Sequence, residues 1–246
     1  MATKSTPIQI SIINQTTVLT DAQITPVVKA LQTQVTRDFF PVYGIDAKLN
    51  QIKQGQQPKP QSWWLVLLDT SDQAGALGYH DLTTNGLPIA KVFVKSDIEA
   101  GASWSITASH ELIEMLGDCN INLTVFIQTA NTKGRLLSYE LCDAPEADQY
   151  GYDINGIKVS DFVYPRWFGI PGSTTKFDHM DHIKHEFEIL PGGYIGEFDV
   201  TGGTGWKQIT SEISLHAHRE TPKEGSRRER RIKGKNNWKL STAHKC

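Results

Sequence analysis

Cysteine is scarce in this sequence. It occurs three times in 246 residues, at Cys119, Cys142 and Cys246. An odd, sparse set argues against a disulfide framework and leans towards a reducing compartment. Long apolar runs are missing as well, and nothing approaches the roughly 20 residues of a membrane-spanning helix. The opening residues MATKSTPIQI lack the basic stretch and apolar run of a signal peptide. The expectation is a chain with no membrane span, cytoplasmic or delivered without such a leader. Net charge is nearly absent too, at −2, but it is unevenly spread. Residues 1–215 carry 15 Lys/Arg against 24 Asp/Glu, and residues 216–246 carry 10 against 3. An acidic body therefore precedes a basic tail.

Enough apolar material is present to fold. Hydrophobic residues are 39% and charged residues 21%, which suits one domain with a buried core. The expected division is one folded domain over 1–218 and a flexible basic tail over 219–246. Arg227, Arg228, Arg230 and Arg231 cluster in that tail. They read as a solvated segment, or one folding back on the acidic body. Nucleic acid is the alternative partner, although no base-reading motif accompanies them.

Alternation and spacing predict the elements. Residues 7–14 read as a strand. Thr20-Asp21 offers a helix N-cap, and Ile24, Val27, Val28, Leu31 and Val35 follow at helical spacing towards Phe40. Pro41 and Gly44 are expected to stop that helix. Strands are expected near 45–53, 63–68, 76–81 and 89–95, the run WWLVLL as a buried one. A helix from about 102 to 117 should end at Gly117. Beyond it, 135–142 reads as a strand and 150–164 as a hairpin turning at Asn155-Gly156. Residues 170–205 should hold short strands at best.

The chemistry concentrates in Ser109-His110-Glu111-Leu112-Ile113-Glu114. On a helix His110 and Glu114 are about 40° apart on one face, with Glu111 on the flank. This is the geometry of H-E-x-x-H, in which positions one and five bind zinc and the adjacent Glu is the general base. Here position five is a carboxylate. Its added charge weakens the pull of the metal on a bound water and admits harder ions. Zn²⁺ is expected, with Mn²⁺ or Ca²⁺ as competitors. His80, on a strand before the helix, either faces the cleft or points to solvent. His179, His182 and His185 could form a second metal site; a solvated segment alternating with Asp178 and Asp181 is the plainer reading.

The pattern S-H-E-x-x-E-x-x-x-D, ending at Asp118, is followed by E-x-x-D at Glu140–Asp143. It resembles a group of zincin-like proteins that includes plant exordium-type proteins and many bacterial and phage proteins. The stretches SDFVYPRWF (160–168) and EILPGGYIGEFD (188–199) look like the bacterial and phage members. Cys119 departs from the pattern, which usually has Pro there, and a buried thiol or a ligand are both open roles for it.

The resemblance implies an α+β, zincin-like fold: a twisted mixed sheet, a long N-terminal helix, an active-site helix and an irregular C-terminal part. It implies His110 and Glu114 as metal ligands, Glu140 as the third, and Asp143 or Asp118 completing or orienting the site. The implied activity is a zinc-dependent metallohydrolase, a peptidase acting on a peptide or protein substrate. Glu111 would be the general base, with His80 or Tyr139 stabilising an oxyanion. The alternative is a catalytically silent zincin-fold module, such as a structural component of a phage particle or secretion system.

Overall fold

Residues 6–211, apart from 74, 173 and 204, are described by the computed structural model. The stretch IQISIIN forms β1 (Ile8–Asn14). Ile10 and Ile12 belong to the main core and Ile13 to a smaller cluster on the other face of the sheet, as the two-residue period of a strand requires. Thr20 caps α1 (Asp21–Thr33) through a capping box with Gln23.

Pro41 does not end the helix, contrary to expectation. Gln34–Phe39 widens into a π-helical turn, and α2 (Phe40–Tyr43) continues to Gly44, which turns left-handed at φ 69°. A wide turn makes room for the Pro41 ring and its missing N–H, which a regular helix accommodates poorly. It also buries Gln34 and Asp38.

Next come β2 (Ala47–Ile52), β3 (Trp63–Leu68), β4 (Gly78–Leu82) and β5 (Pro88–Phe93). With β1 they form one sheet in the order β2-β1-β3-β5-β4. Its pairs are parallel except β4–β5, so β4 is an antiparallel edge strand. The strand expected to run to Lys95 stops at Phe93, because α3 (Val94–Glu99) begins there.

The motif lies on α4 (Trp104–Gly117), packed on β4 and β5. Every residue from Ser105 to Leu116 is buried. Gly117 does end the helix, but its φ is not positive. A Cβ there would come 2.5 Å from Leu141 Cδ1, so close packing, rather than a left-handed turn, calls for glycine.

The C-terminal half is more regular than expected. β6 (Thr124–Ala130), β7 (Lys133–Ser138), β10 (Tyr194–Asp199) and β11 (Trp206–Thr210) form an antiparallel sheet in the order β11-β10-β7-β6. Its strands are weakly amphipathic, with Phe126 and Ile209 exposed. The β7–β10 pairing is also far from local, so no nearby turn signals it. The strand expected over 135–142 therefore ends at Ser138. The hairpin of β8 (Tyr152–Ile154) and β9 (Ile157–Val159) turns at Asn155-Gly156, both at positive φ. The chain is thus a mixed α+β protein. Among the described residues no helix is long and apolar enough to cross a membrane. The basic tail, His216, His218 and Cys246 lie outside them.

Candidate metal centre

A helix buried on all sides must place its polar side chains against partners, because charged groups are seldom buried alone. On α4, His110, Glu111 and Glu114 are each 5% exposed or less. His110 Nε2 lies 3.3 Å from Glu114 Oε2 and 3.3 Å from Asp143 Oδ1. From β4, His80 meets the same helix. Its Nδ1 is 3.5 Å from Glu111 Oε2 and 3.6 Å from Glu114 Oε2, and its Nε2 is 3.8 Å from Glu140 Oε2. His80 is thus buried within the cluster, although its strand is at the sheet edge.

These six side chains contain two groups of metal-type donors, His110–Glu114–Asp143 and His80–Glu114–Glu140, each with ligand atoms within 4.8 Å of one another. The donor chemistry fits a divalent ion. Two ligand atoms about 2.0–2.1 Å from one zinc at tetrahedral angles sit about 3.3 Å apart. The His110 distances match that value, and the His80 distances are slightly wider.

The backbone fixes the cluster from several directions. The Cys142 N–H donates to Glu114 Oε1 at 3.2 Å, leaving Oε2 towards both histidines. Residues 141–144 are tied down by Val163 N–H to the Leu141 carbonyl, Leu190 N–H to that of Ala144, and Tyr194 N–H to that of Asp143. Gly78 lets β4 approach Glu111, since a Cβ would come 2.8 Å from Glu111 Cγ. Ser109 anchors α4 from behind: its hydroxyl donates to Gln34 Oε1 at 2.7 Å and accepts from Ser160 N–H at 2.9 Å.

Burial opposes a charge on His110. Glu114 and Asp143 outweigh it and hold the imidazole well above its ordinary range. Burial and Glu114 push the Cys142 thiol up, which keeps it protonated. Cys119 is also raised, by burial and then by Asp118, and it belongs to no donor group among the described residues.

The remaining expected residues have other surroundings. Asp118 accepts from Asn122 N–H at 3.1 Å and Leu123 N–H at 2.9 Å, and so caps the turn after α4. Tyr139 stacks on Phe168 with ring centroids 4.8 Å apart. Sequence reasoning missed Tyr194. It is buried, and its hydroxyl is held protonated first by burial and then by Asp143, Glu146, Glu114 and Glu140. No local signal marks it, because it arrives from β10.

His179, His182 and His185 do not converge. His179 stacks on Phe162 at 5.2 Å, and its Nδ1 is 3.1 Å from the Tyr164 hydroxyl. His182 Nδ1 lies 3.4 Å from Asp161 Oδ2, while His185 is exposed beside Glu188. Asp178, expected in a hydrated segment, is fully buried. Its carboxylate closes a local turn that a sequence pattern does not reveal. No family model, curated protein or solved structure matches the chain.

Proposed function

We propose that this chain is a metal-dependent hydrolase of zincin-like architecture that acts on peptide bonds. The observation that carries the reading is the position of Glu111 Oε2, 3.5 Å from His80 Nδ1 and one turn before the Glu114 donor. A bound divalent ion, Zn²⁺ by preference and Mn²⁺ or Ca²⁺ by competition, would polarise a carbonyl and lower the pKa of a water. His110, Glu114 and Asp143 would hold it, with His80 and Glu140 adjoining. Glu111 takes a proton from the attacking water and returns it to the leaving amine. Tyr194, kept protonated by burial and then by its carboxylate neighbours, donates to the developing oxyanion.

Glu111→Gln tests the assignment. Unfolded protein serves as substrate, followed by the appearance of new amino termini. The variant keeps the zinc content of the wild type and loses turnover by about 10²–10⁴-fold. Equal turnover would overturn the role of Glu111, and a purified chain with no affinity for zinc would overturn the whole reading.

A second reading, a catalytically silent zincin-fold module, is favoured by one observation: the six side chains are all 5% exposed or less. Zinc would then raise the melting temperature of the wild type with no cleavage of any unfolded substrate.

A further inference from the structure

The two donor groups share one residue and one atom. Glu114 Oε2 is 3.3 Å from His110 Nε2 and 3.6 Å from His80 Nδ1. Among the described residues no single donor group contains both histidines. A mononuclear site built on both rings would place them in one group. The structure instead sets one ring on each side of Glu114, with Asp143 at the same Nε2 of His110 and Glu140 at the Nε2 of His80, whose Nδ1 faces Glu114.

Charge points the same way. Four carboxylates, Glu111, Glu114, Glu140 and Asp143, are buried beside two imidazoles. The segments that carry them, 78–82, 104–118 and 136–148, contain no Lys or Arg. A buried cluster this rich in acid favours cations, and each divalent ion offsets two of its charges.

We infer that the centre holds two divalent cations bridged by the Glu114 carboxylate, one on His110 and Asp143 and the other on His80 and Glu140. The Cys142 N–H donates to Oε1, and Oε2 is the Glu114 oxygen that lies nearest both histidines. Glu111, beside His80 Nδ1, adjoins the second ion. Paired ions in hydrolytic sites lie about 3.5–4 Å apart, a spacing that one shared oxygen allows. The inference rests on the metal reading above and adds nuclearity and the bridging ligand to it.

The full-length untagged chain, stripped with chelator and reloaded, is titrated separately with Zn²⁺ and Mn²⁺. Bound metal is counted by elemental analysis, and the Mn²⁺ form is examined by electron paramagnetic resonance. The expected result is two ions per chain, with a spin-coupled manganese signal in place of isolated-ion lines. Asp143→Asn and Glu140→Gln each bring the count to one and remove the coupling. His182→Ala leaves both unchanged. Far-ultraviolet circular dichroism confirms that each variant is folded, and the wild-type count stands without them. One ion per chain, or two with no coupling, overturns the bridged pair and leaves the hydrolase reading intact. No bound ion overturns both. A second ion lost on His182→Ala belongs to the Asp161 cluster and overturns the inference.

Discussion

Asp161, Asp178 and His182 form another group of metal-type donors within 4.8 Å of one another, so two such regions lie among the described residues. Both bury their carboxylates, and both include histidine. They differ in the balance of partners: the Asp161 pair faces one ring nitrogen, His182 Nδ1 at 3.4 and 3.8 Å, and is otherwise held by amides. Asp161 accepts from Phe162 N–H and Met180 N–H, and Asp178 from His182 N–H and Ile183 N–H. These donors belong to the backbone and pin the 178–183 turn to the segment before Phe162. At the α4 centre, Glu114, Glu140 and Asp143 face ring nitrogens of His80 and His110. A ring nitrogen can give up its proton and take a metal ion; an amide N–H cannot. Residue type and burial alone therefore do not mark a metal centre.

Two alanine substitutions should separate the regions most strongly. Glu114→Ala removes the shared donor. The wild type should gain about 4 kcal/mol of stability in zinc at a thousandfold excess over Kd, and the variant should lose that gain. Asp178→Ala should instead destabilise the chain by about 2–5 kcal/mol, because it strands two amides and the facing Asp161. Its zinc content should stay that of the wild type. Denaturant titrations with and without zinc, together with metal analysis, measure both. Metal loss in the Asp178 variant would break the contrast.

Ser109 joins the regions, with Gln34 and Ser160 on its hydroxyl and Asp161 next along the chain. Ser109→Ala leaves two buried partners unsatisfied and should cost about 1–3 kcal/mol. At about 2–4 °C per kcal/mol for a chain of this size, calorimetry resolves it. An unchanged melting temperature would show that the link does not hold α4 in place.

The smallest expected effect is one of pH. Burial, and then its hydrogen bond with Asp178, raise the Asp161 carboxyl well above the ordinary range. Folding therefore favours its protonated form. The stability it contributes is complete below the unfolded-state pKa near 4 and declines as pH rises towards the raised folded value. Asp161→Asn carries a permanent N–H donor in place of that proton. Its unfolding midpoint should fall less than that of the wild type as pH rises from about 4 to neutrality. Parallel pH profiles would contradict the shared proton.

Much of the N-terminal half is legible in the amino-acid sequence. The capping box at Thr20, the apolar run of β3 and the Asn155-Gly156 turn farther along are local signals, and each element forms where its signal lies. The second sheet is not legible in that way. β6 and β11 are half exposed, and β10 pairs with a strand more than fifty residues earlier. The π-helical turn before Pro41 is hidden as well, because helical spacing does not register one extra residue in a turn.

The candidate site divides in the same way. Spacing alone places His110, Glu111 and Glu114 on one helix, because the α-helical repeat is a property of the local backbone. Whether His80 faces the cluster or the solvent cannot be read from an edge strand. Glu140, Asp143 and Tyr194 reach α4 from a loop and from the second sheet, through hydrogen bonds that tie residues far apart in the chain. Only tertiary structure distinguishes Asp143 beside His110 from Asp118 in its turn, since both are buried carboxylates following the same helix. The donor types are thus local information. Their convergence around His80 and His110 is decided by packing.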